Sequence, residues 1–450
     1  MKNSIPHRFF WSWDHSTNWC LHTLGAQNCG VANAYAKPSE SFFEDYKRVV
    51  DFCAEHKIGA VGIAGFLRDK HGGISEARRL CDYANGKGVK IYVIAGLYAY
   101  GGIYYEGDHK YSLNRFFKEN PETVGVDASG NPLLVEFKGK YGYRFEPQGC
   151  PTNPELNEFM LESLDWLFTE IPELGGIQME SGDSGVCQCE RCRARRRGEE
   201  TQISVADMAG IYPAAAEAVL SRSPNALVIC ETYHHFLDEA CTFFNSKDPS
   251  NDLKKLLSMP KSVFWQWKCD ARLRDGDWSE KDKMLSSLAD FNHVMRSHSG
   301  TQWWGGRATF AVEKIRRQCY LSHKSGLNGV SMFGENAPFH TNAEFNYLAL
   351  EYFSDNPLAS ISNYIYDVMS PRLGGKSYAE FYYEIAGLHE QVDKIPEAVR
   401  SIAKITSDIT EYDQLRCWQY VASNLNGYYW EAKMSEGKNG FVDSDKIGDL

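Results

Sequence analysis

The chain has 450 residues, 43% of them apolar and 24% charged, with a net charge of −11; it can bury a sizeable core, which excludes disorder, collagen and coiled coil. The acidic balance and the lack of a basic stripe argue against a nucleic-acid partner. The longest apolar run, Ala60 to Leu67, is far short of the ~20 residues that span a bilayer, and the start MKNSIPHRFF lacks the apolar segment of a signal peptide, so a cytoplasmic or already processed chain is expected, with no membrane partner.

Short β-rich runs alternate with amphipathic helical segments, the pattern of a parallel sheet with helical crossovers. The first run is HRFFWSW (7–13). A helix from about Ser39 follows, with Phe42, Phe43, Tyr46, Val49, Val50 and Cys53 at helical spacing. Next come GAVGIAGF (59–66), a helix through Glu76 to Asn85, and VKIYVIAGL (89–97). A long excursion from Tyr98 to Gln148, too long for a simple connection, is expected to wall a pocket, with Tyr100-Gly101-Gly102 as its hinge. The helix Pro154 to Ile171 leads to GGIQM (175–179), and the helix Ser204 to Ser221 leads to ALVICETY (226–233). SVFWQW (262–267), HVMRSH (293–298) and, after a helix from Ala311 to His323, LNGVSMF (327–333) complete eight β units, closed by a helix at about Glu344 to Tyr352.

Eight β units with intervening helices predict an α/β chain folded as a (β/α)8 TIM barrel over residues 1–355. An open doubly wound sheet is the competing arrangement, but there is no GxGxxG after the first strand and no GxxxxGK[ST] anywhere. Beyond Pro357 the strand signal stops, and residues 356–450 read as a C-terminal α-helical domain with breaks at Pro371 to Gly375 and near Pro396. Its aromatics, Tyr382, Tyr383, Tyr428, Tyr429 and Trp430, are taken as exposed, which makes the region a candidate homodimer interface or a cover for the barrel floor. The basic cluster Arg191 to Arg197, followed by Glu199 and Glu200, reads as a solvated helix face. Of the 13 cysteines, Cys53, Cys81, Cys230, Cys319 and Cys417 lie inside apolar runs, where a reduced thiol acts as a small hydrophobe.

Barrel enzymes carry their chemistry at the C-terminal ends of the strands. At those positions stand Asp14 and His15, then Arg68, Tyr100, Glu180 with Asp183, Glu231 with His234, Trp265 and Trp267, Trp304 with Arg307, and Glu335. Carboxylates end at least five of the strands, accompanied by Trp or Tyr. Buried acids are costly unless paired or functional. Aromatic planes stack on sugar rings, and two carboxylic acids break glycosidic bonds, so the combination points to an oligosaccharide or glycoside.

Within GGIQMESGD (175–183), Glu180 ends a strand and Asp183 can fold back towards it; a neighbouring carboxylate favours the protonated state that a general acid needs. Asp14 and Glu335 rank together as catalytic partners, with Glu231 also on the rim. His15, Arg68, Tyr100, Glu231, His234, Trp265, Trp267, Trp304 and Arg307 are the candidate substrate contacts. Trp265 and Trp267 alternate on one strand and share a face, taken here as the barrel mouth because Asp270 follows. Cys187, Cys189 and Cys192 have thiolate-ligand spacing for a structural zinc, with Cys150 or a histidine as a fourth ligand; three reduced thiols in a tight loop is the other reading.

Glu180 to Asp183, CQCERC (187–192), CPTNPE (150–155) and SRSPNALVICETY (221–233) together resemble TIM-barrel glycoside hydrolases, in the branch of the α-glucuronidases, β-hexosaminidases and related bacterial polysaccharide-locus families with a Cys-x-Cys-x-x-Cys loop after strand 4. The similarity spans roughly residues 145–355. It implies that Glu180 is the general acid. The hexosaminidase pattern is an adjacent Asp-Glu, whereas this chain has Glu-Ser-Gly-Asp, which argues against a substrate-assisted N-acetyl mechanism. The expectation is a glycosidase cleaving a terminal glycosidic bond, with no cofactor required. A non-catalytic carbohydrate-binding barrel, or an exo-acting sialidase- or uronidase-type enzyme choosing an acidic sugar, are the alternatives.

Overall fold

The computed structural model describes residues 4–13, 39–139, 142–180, 186–196, 205–236, 250–268, 291–297, 310–333, 344–388 and 391–435. Eight parallel strands close a barrel: β1 (His7–Trp13), β2 (Ala60–Ala64), β3 (Lys90–Gly96), β6 (Gly176–Glu180), β7 (Leu227–Phe236), β8 (Phe264–Lys268), β9 (Asn292–Ser297) and β10 (Gly329–Phe333), which pairs back onto β1 through Arg8 opposite Val330. The excursion after β3 contains what the sequence reading missed, an antiparallel hairpin of β4 (Leu134–Gly139) and β5 (Gly142–Pro147). Around the barrel run α1 (Ser39–Glu55), α2 (Gly73–Gly86), α3 (Leu113–Glu119), α4 (Pro154–Glu170), α5 (Glu190–Arg196), α6 (Val205–Arg222), α7 (Asn251–Leu257), α8 (Val312–Lys324) and α9 (Glu344–Asp355).

Strand alternation sorts the core into two layers. Phe9, Trp11, Ala60, Ala64, Tyr92, Ile94, Ile229, Phe264 and Val294 fill the barrel interior. The intervening residues, such as Phe10, Val61, Val93, Ile177 and Cys230, join the helix faces in the larger outer layer. Small residues on β2 make room for large ones on β3. A Cβ on Gly62 would lie 2.1 Å from the Tyr92 ring, so glycine there lets that ring cross the interior and donate to the Phe10 carbonyl at 3.0 Å. Where the chain enters β1, the Arg8 guanidinium bonds Asp355 at the end of α9 and the Ile5 carbonyl, fastening the strand that closes the barrel.

Past Asp355, a helical turn Ile361–Tyr364 with a Ser360–Asn363 capping box passes through a π turn into Ser370–Leu373 and stops at Gly374 and Gly375. Then follow α10 (Lys376–Ala386), α11 (Ile395–Thr406) and α12 (Tyr412–Ser435), and Pro396 stands in the first turn of α11, where its missing N–H costs nothing. These helices share the barrel's outer core: Tyr364 donates to the Phe345 carbonyl at 2.6 Å, and Tyr382 packs edge-on against Phe345, Phe310 and Trp418. Tyr382 is therefore buried, which corrects the expectation that it is exposed; Trp430 does face solvent. Among the described residues no helix is long and apolar enough to cross a membrane.

Candidate functional site

Glu180 ends β6, the fourth strand of the barrel. The two glycines before it let the strand fit between its neighbours; a Cβ on Gly176 would lie 2.3 Å from the Leu227 carbonyl oxygen. The Glu180 backbone carbonyl accepts from the Leu97 amide at 3.2 Å, which ties the end of β6 to the start of the excursion after β3. The residue is 4% exposed, and its carboxylate accepts a hydrogen bond from the Gln178 amide, two residues back on the same face, at 2.7 Å.

On the adjacent strand, Glu231 is fully buried. It accepts from the Gln266 amide and lies 3.6 Å from the Arg296 guanidinium, which in turn sits 5.0 Å over the Trp11 ring. Burial first, and then the negative charges of Glu180 and Glu231, push the Tyr92 phenol well above its ordinary range, so it stays a neutral donor beneath both carboxylates. The barrel's upper interior is thus a polar layer of Gln178, Glu180, Glu231, Gln266 and Arg296 on an aromatic floor. Sequence reasoning missed Gln178, Gln266 and Arg296. A signal was present: each is a polar residue in an apolar strand, in register with the inward positions of that strand.

The wall beside this layer comes from the β2 and β3 loops. Arg68 is buried, pairs with Glu106 at 2.6 Å and lies 4.5 Å over the Tyr105 ring. Tyr100 adopts a left-handed backbone at φ 57°, followed by Gly101 and Gly102 at φ 73° and 71°. A non-glycine residue in that region is strained and persists only when its surroundings hold it. Here the surroundings do so: Tyr100 is packed into the interior cluster, and a Cβ on Gly101 would meet the Tyr105 carbonyl oxygen at 2.4 Å. The segment expected to be a hinge is a tightly packed turn.

Two expectations are corrected. Trp265 and Trp267 point outward into the helix layer, Trp265 near Tyr212 and Phe291, and Trp267 donating to His293 Nδ1 at 3.0 Å. Gln266 between them takes the inward position because it can bond Glu231, whereas full burial of each indole in the outer core contributes roughly 2–3 kcal/mol. The basic cluster is not uniformly solvated either: Arg191 and Arg193 are exposed, but Arg196 is buried, pairs with Asp207 at 2.8 Å and donates to the Cys187 carbonyl at 2.6 Å. Asp14, His15, Asp183, Trp304, Arg307 and Glu335 lie outside the described residues, as does the side chain of His234.

Cys187, Cys189 and Cys192 gather with Cys150, and the four Sγ atoms lie within 4.8 Å of one another. The scattered cysteines behave as expected of small hydrophobes: burial pushes the thiol of Cys319 up to about 12 and that of Cys417 up to about 11, which leaves them inert.

No family model matches the chain, and no curated protein sequence matches it. Solved structures do resemble it. An enzyme of glycoside hydrolase family 138 that targets the pectin rhamnogalacturonan II superposes with a TM-score of 0.56 at 11% identity, over 95% of this chain and 70% of that one. A substituted form of the Thermobaculum terrenum O-GlcNAc hydrolase gives a TM-score of 0.52 at 9% identity, over 96% of this chain and 83% of that one. At these identities the likeness is one of fold, and the fold is a TIM barrel of the kind found in glycoside hydrolases.

Proposed function

We propose that the protein is a glycosidase that hydrolyses a terminal glycosidic bond at the C-terminal mouth of the barrel, with Glu180 as general acid. The observation that carries this reading is a residue only 4% exposed, Glu180, at the C-terminal end of the fourth barrel strand, its carboxyl oriented by Gln178 and neighboured by a second buried carboxylate, Glu231. Burial and a nearby negative charge both favour the neutral form of a carboxyl group, the state from which it can donate a proton. Glu180 gives that proton to the glycosidic oxygen as the bond to the anomeric carbon breaks. In the same step a second carboxylate either attacks the anomeric carbon, forming a glycosyl-enzyme that water then hydrolyses with Glu180 acting as base, or takes a proton from the attacking water. Asp14 and Glu335 are the candidates for that role, and Asp183 for tuning Glu180. Glu231, held by Gln266 and paired with Arg296, closes the polar layer beneath the site. This two-carboxylate chemistry requires no cofactor. Of the two solved enzymes above, one targets a pectin and the other is an O-GlcNAc hydrolase, which accords with the reading.

The test is a panel of aryl glycosides, with and without a sugar carboxylate, assayed on the wild type and on Glu180→Gln. Turnover of at least one member that the substitution abolishes, with thermal unfolding unchanged, is the expected result. Full activity of Glu180→Gln would sink the assignment. Sugar binding without product release, unaffected by the substitution, would favour a carbohydrate-binding barrel that performs no chemistry.

A further inference from the structure

Apart from the main core lies a small buried cluster of unusual composition. Its buried members are Cys150, Cys187 and Cys192, with Val126 and the half-buried Cys189 against them. Cys150 comes from the end of the excursion after β3, and the other three from the loop after β6 and the start of α5. We propose that these four cysteines form a closed tetrathiolate site for one Zn2+ ion, which fastens the β3 and β6 loops to each other beside the barrel mouth.

The geometry supports a mononuclear site. With Zn–S bonds of about 2.3 Å, the sulfur atoms of a tetrahedral ZnS4 unit stand about 3.8 Å apart. Here Cys150 Sγ lies 3.8 Å from Cys189 Sγ and 3.5 Å from Cys192 Sγ, and no pair in the set exceeds 4.8 Å. An iron–sulfur cluster would hold its thiolates on separate metal atoms and spread them more widely. All four cysteines are free thiols, not disulfides. Four protein thiolates fill a tetrahedral zinc shell and leave no position for a substrate or an activated water, so the site is structural and not catalytic.

The surroundings suit thiolates. The Val126 amide points to Cys187 Sγ at 3.4 Å and the Cys192 amide to Cys189 Sγ at 3.5 Å, while the Thr152 hydroxyl lies 3.1 Å from Cys192 Sγ and 3.2 Å from Cys150 Sγ. Outer donors of this kind orient ligands and offset their charge. Two guanidinium groups hold the backbone on either side: Arg196 bonds the Cys187 carbonyl at 2.6 Å and Arg195 the Pro151 carbonyl at 3.5 Å. On binding, four thiols release four protons and Zn2+ accepts four thiolate lone pairs, leaving a local charge of −2 with no change of oxidation state. A loop region whose satellite core, among the described residues, is thiols and one valine gains from a metal what it lacks in hydrocarbon.

The test is independent of any glycosidase activity. The full-length chain, expressed with zinc in the medium and purified without chelator, should carry one zinc per chain by elemental mass spectrometry, and titration with a mercurial should release it. Co2+ exchanged into the site should give thiolate-to-metal charge-transfer and tetrahedral d–d bands, and Cys187→Ser/Cys192→Ser should lose both metals. Wild type without zinc and without the cobalt spectrum would overturn the proposal. So would iron in its place, or disulfides among the four cysteines by peptide mass. If the double variant does not fold, the wild-type metal content and cobalt spectrum still decide the question.

Discussion

The ion pair between Arg196 on α5 and Asp207 on α6 joins the cysteine loop to the helix layer, and its side chains are 1% and 0% exposed. At 2.8 Å and an effective dielectric constant of about 20, the attraction is about 6 kcal/mol. Withdrawing both charges from water costs several kcal/mol per ion, so the intact pair is close to neutral relative to a hydrophobic substitute. Removing one partner is a different matter, because a guanidinium is then left with its desolvation cost and without its counter-charge. Asp207→Ala should therefore lose about 3–5 kcal/mol, read as a lower urea midpoint at unchanged slope. Arg196→Met/Asp207→Leu should recover most of that loss. A cost for Asp207→Ala below about 1 kcal/mol, the value of a solvated surface pair, would refute the argument, and so would a double variant as unstable as the single one.

Trp267→Ala should lower stability by about 3–5 kcal/mol, as removal of a buried Trp in a core does, while leaving the KM for any hydrolysed aryl glycoside unchanged; a raised KM at intact stability would put the indole back at the mouth. The strand-closing contact of Arg8 with Asp355 carries a pH signature. Burial pushes the Asp355 carboxyl up, but hydrogen bonds from Lys57 and Arg8 outweigh it and hold it below the ordinary aspartate value. A depressed folded value means that the folded chain releases this proton more readily than the unfolded chain, so its contribution is present above the unfolded pKa and lost as pH falls through the folded one. Asp355→Asn should flatten the acid limb of thermal midpoint against pH below about pH 4, and superimposable limbs would count against this contact.

All eight barrel strands, the Pro154 start of α4 and the position of Glu180 at a strand end were legible in the sequence. Each depends on local information: the period of apolar residues and the φ restriction of proline. Cys187, Cys189 and Cys192 were legible as a set because their spacing is local too. What could not be read was facing and partnership across strands. Two tryptophans at alternate positions must share a face, but which face depends on whether Gln266 finds an acceptor on β7, and that acceptor lies 35 positions away in Glu231. In the same way Arg196 belongs to a run of basic residues in sequence and is buried only because Asp207 meets it from another helix.

The aromatic side chains are divided between two jobs that composition cannot separate. Trp265, Trp267, Tyr364, Tyr382 and Trp418 build the outer core, while Tyr92, Tyr100 and Tyr105 line the interior beside the buried carboxylates. The barrel and the strand that delivers Glu180 follow from the sequence, because periodicity and strand-end position are properties of short segments. That Glu180 and Glu231 share one polar layer with Gln266 and Arg296 is the work of barrel closure, and that Cys150 and not a histidine joins the cysteine loop is the work of loop packing, because both bring together residues far apart in the chain.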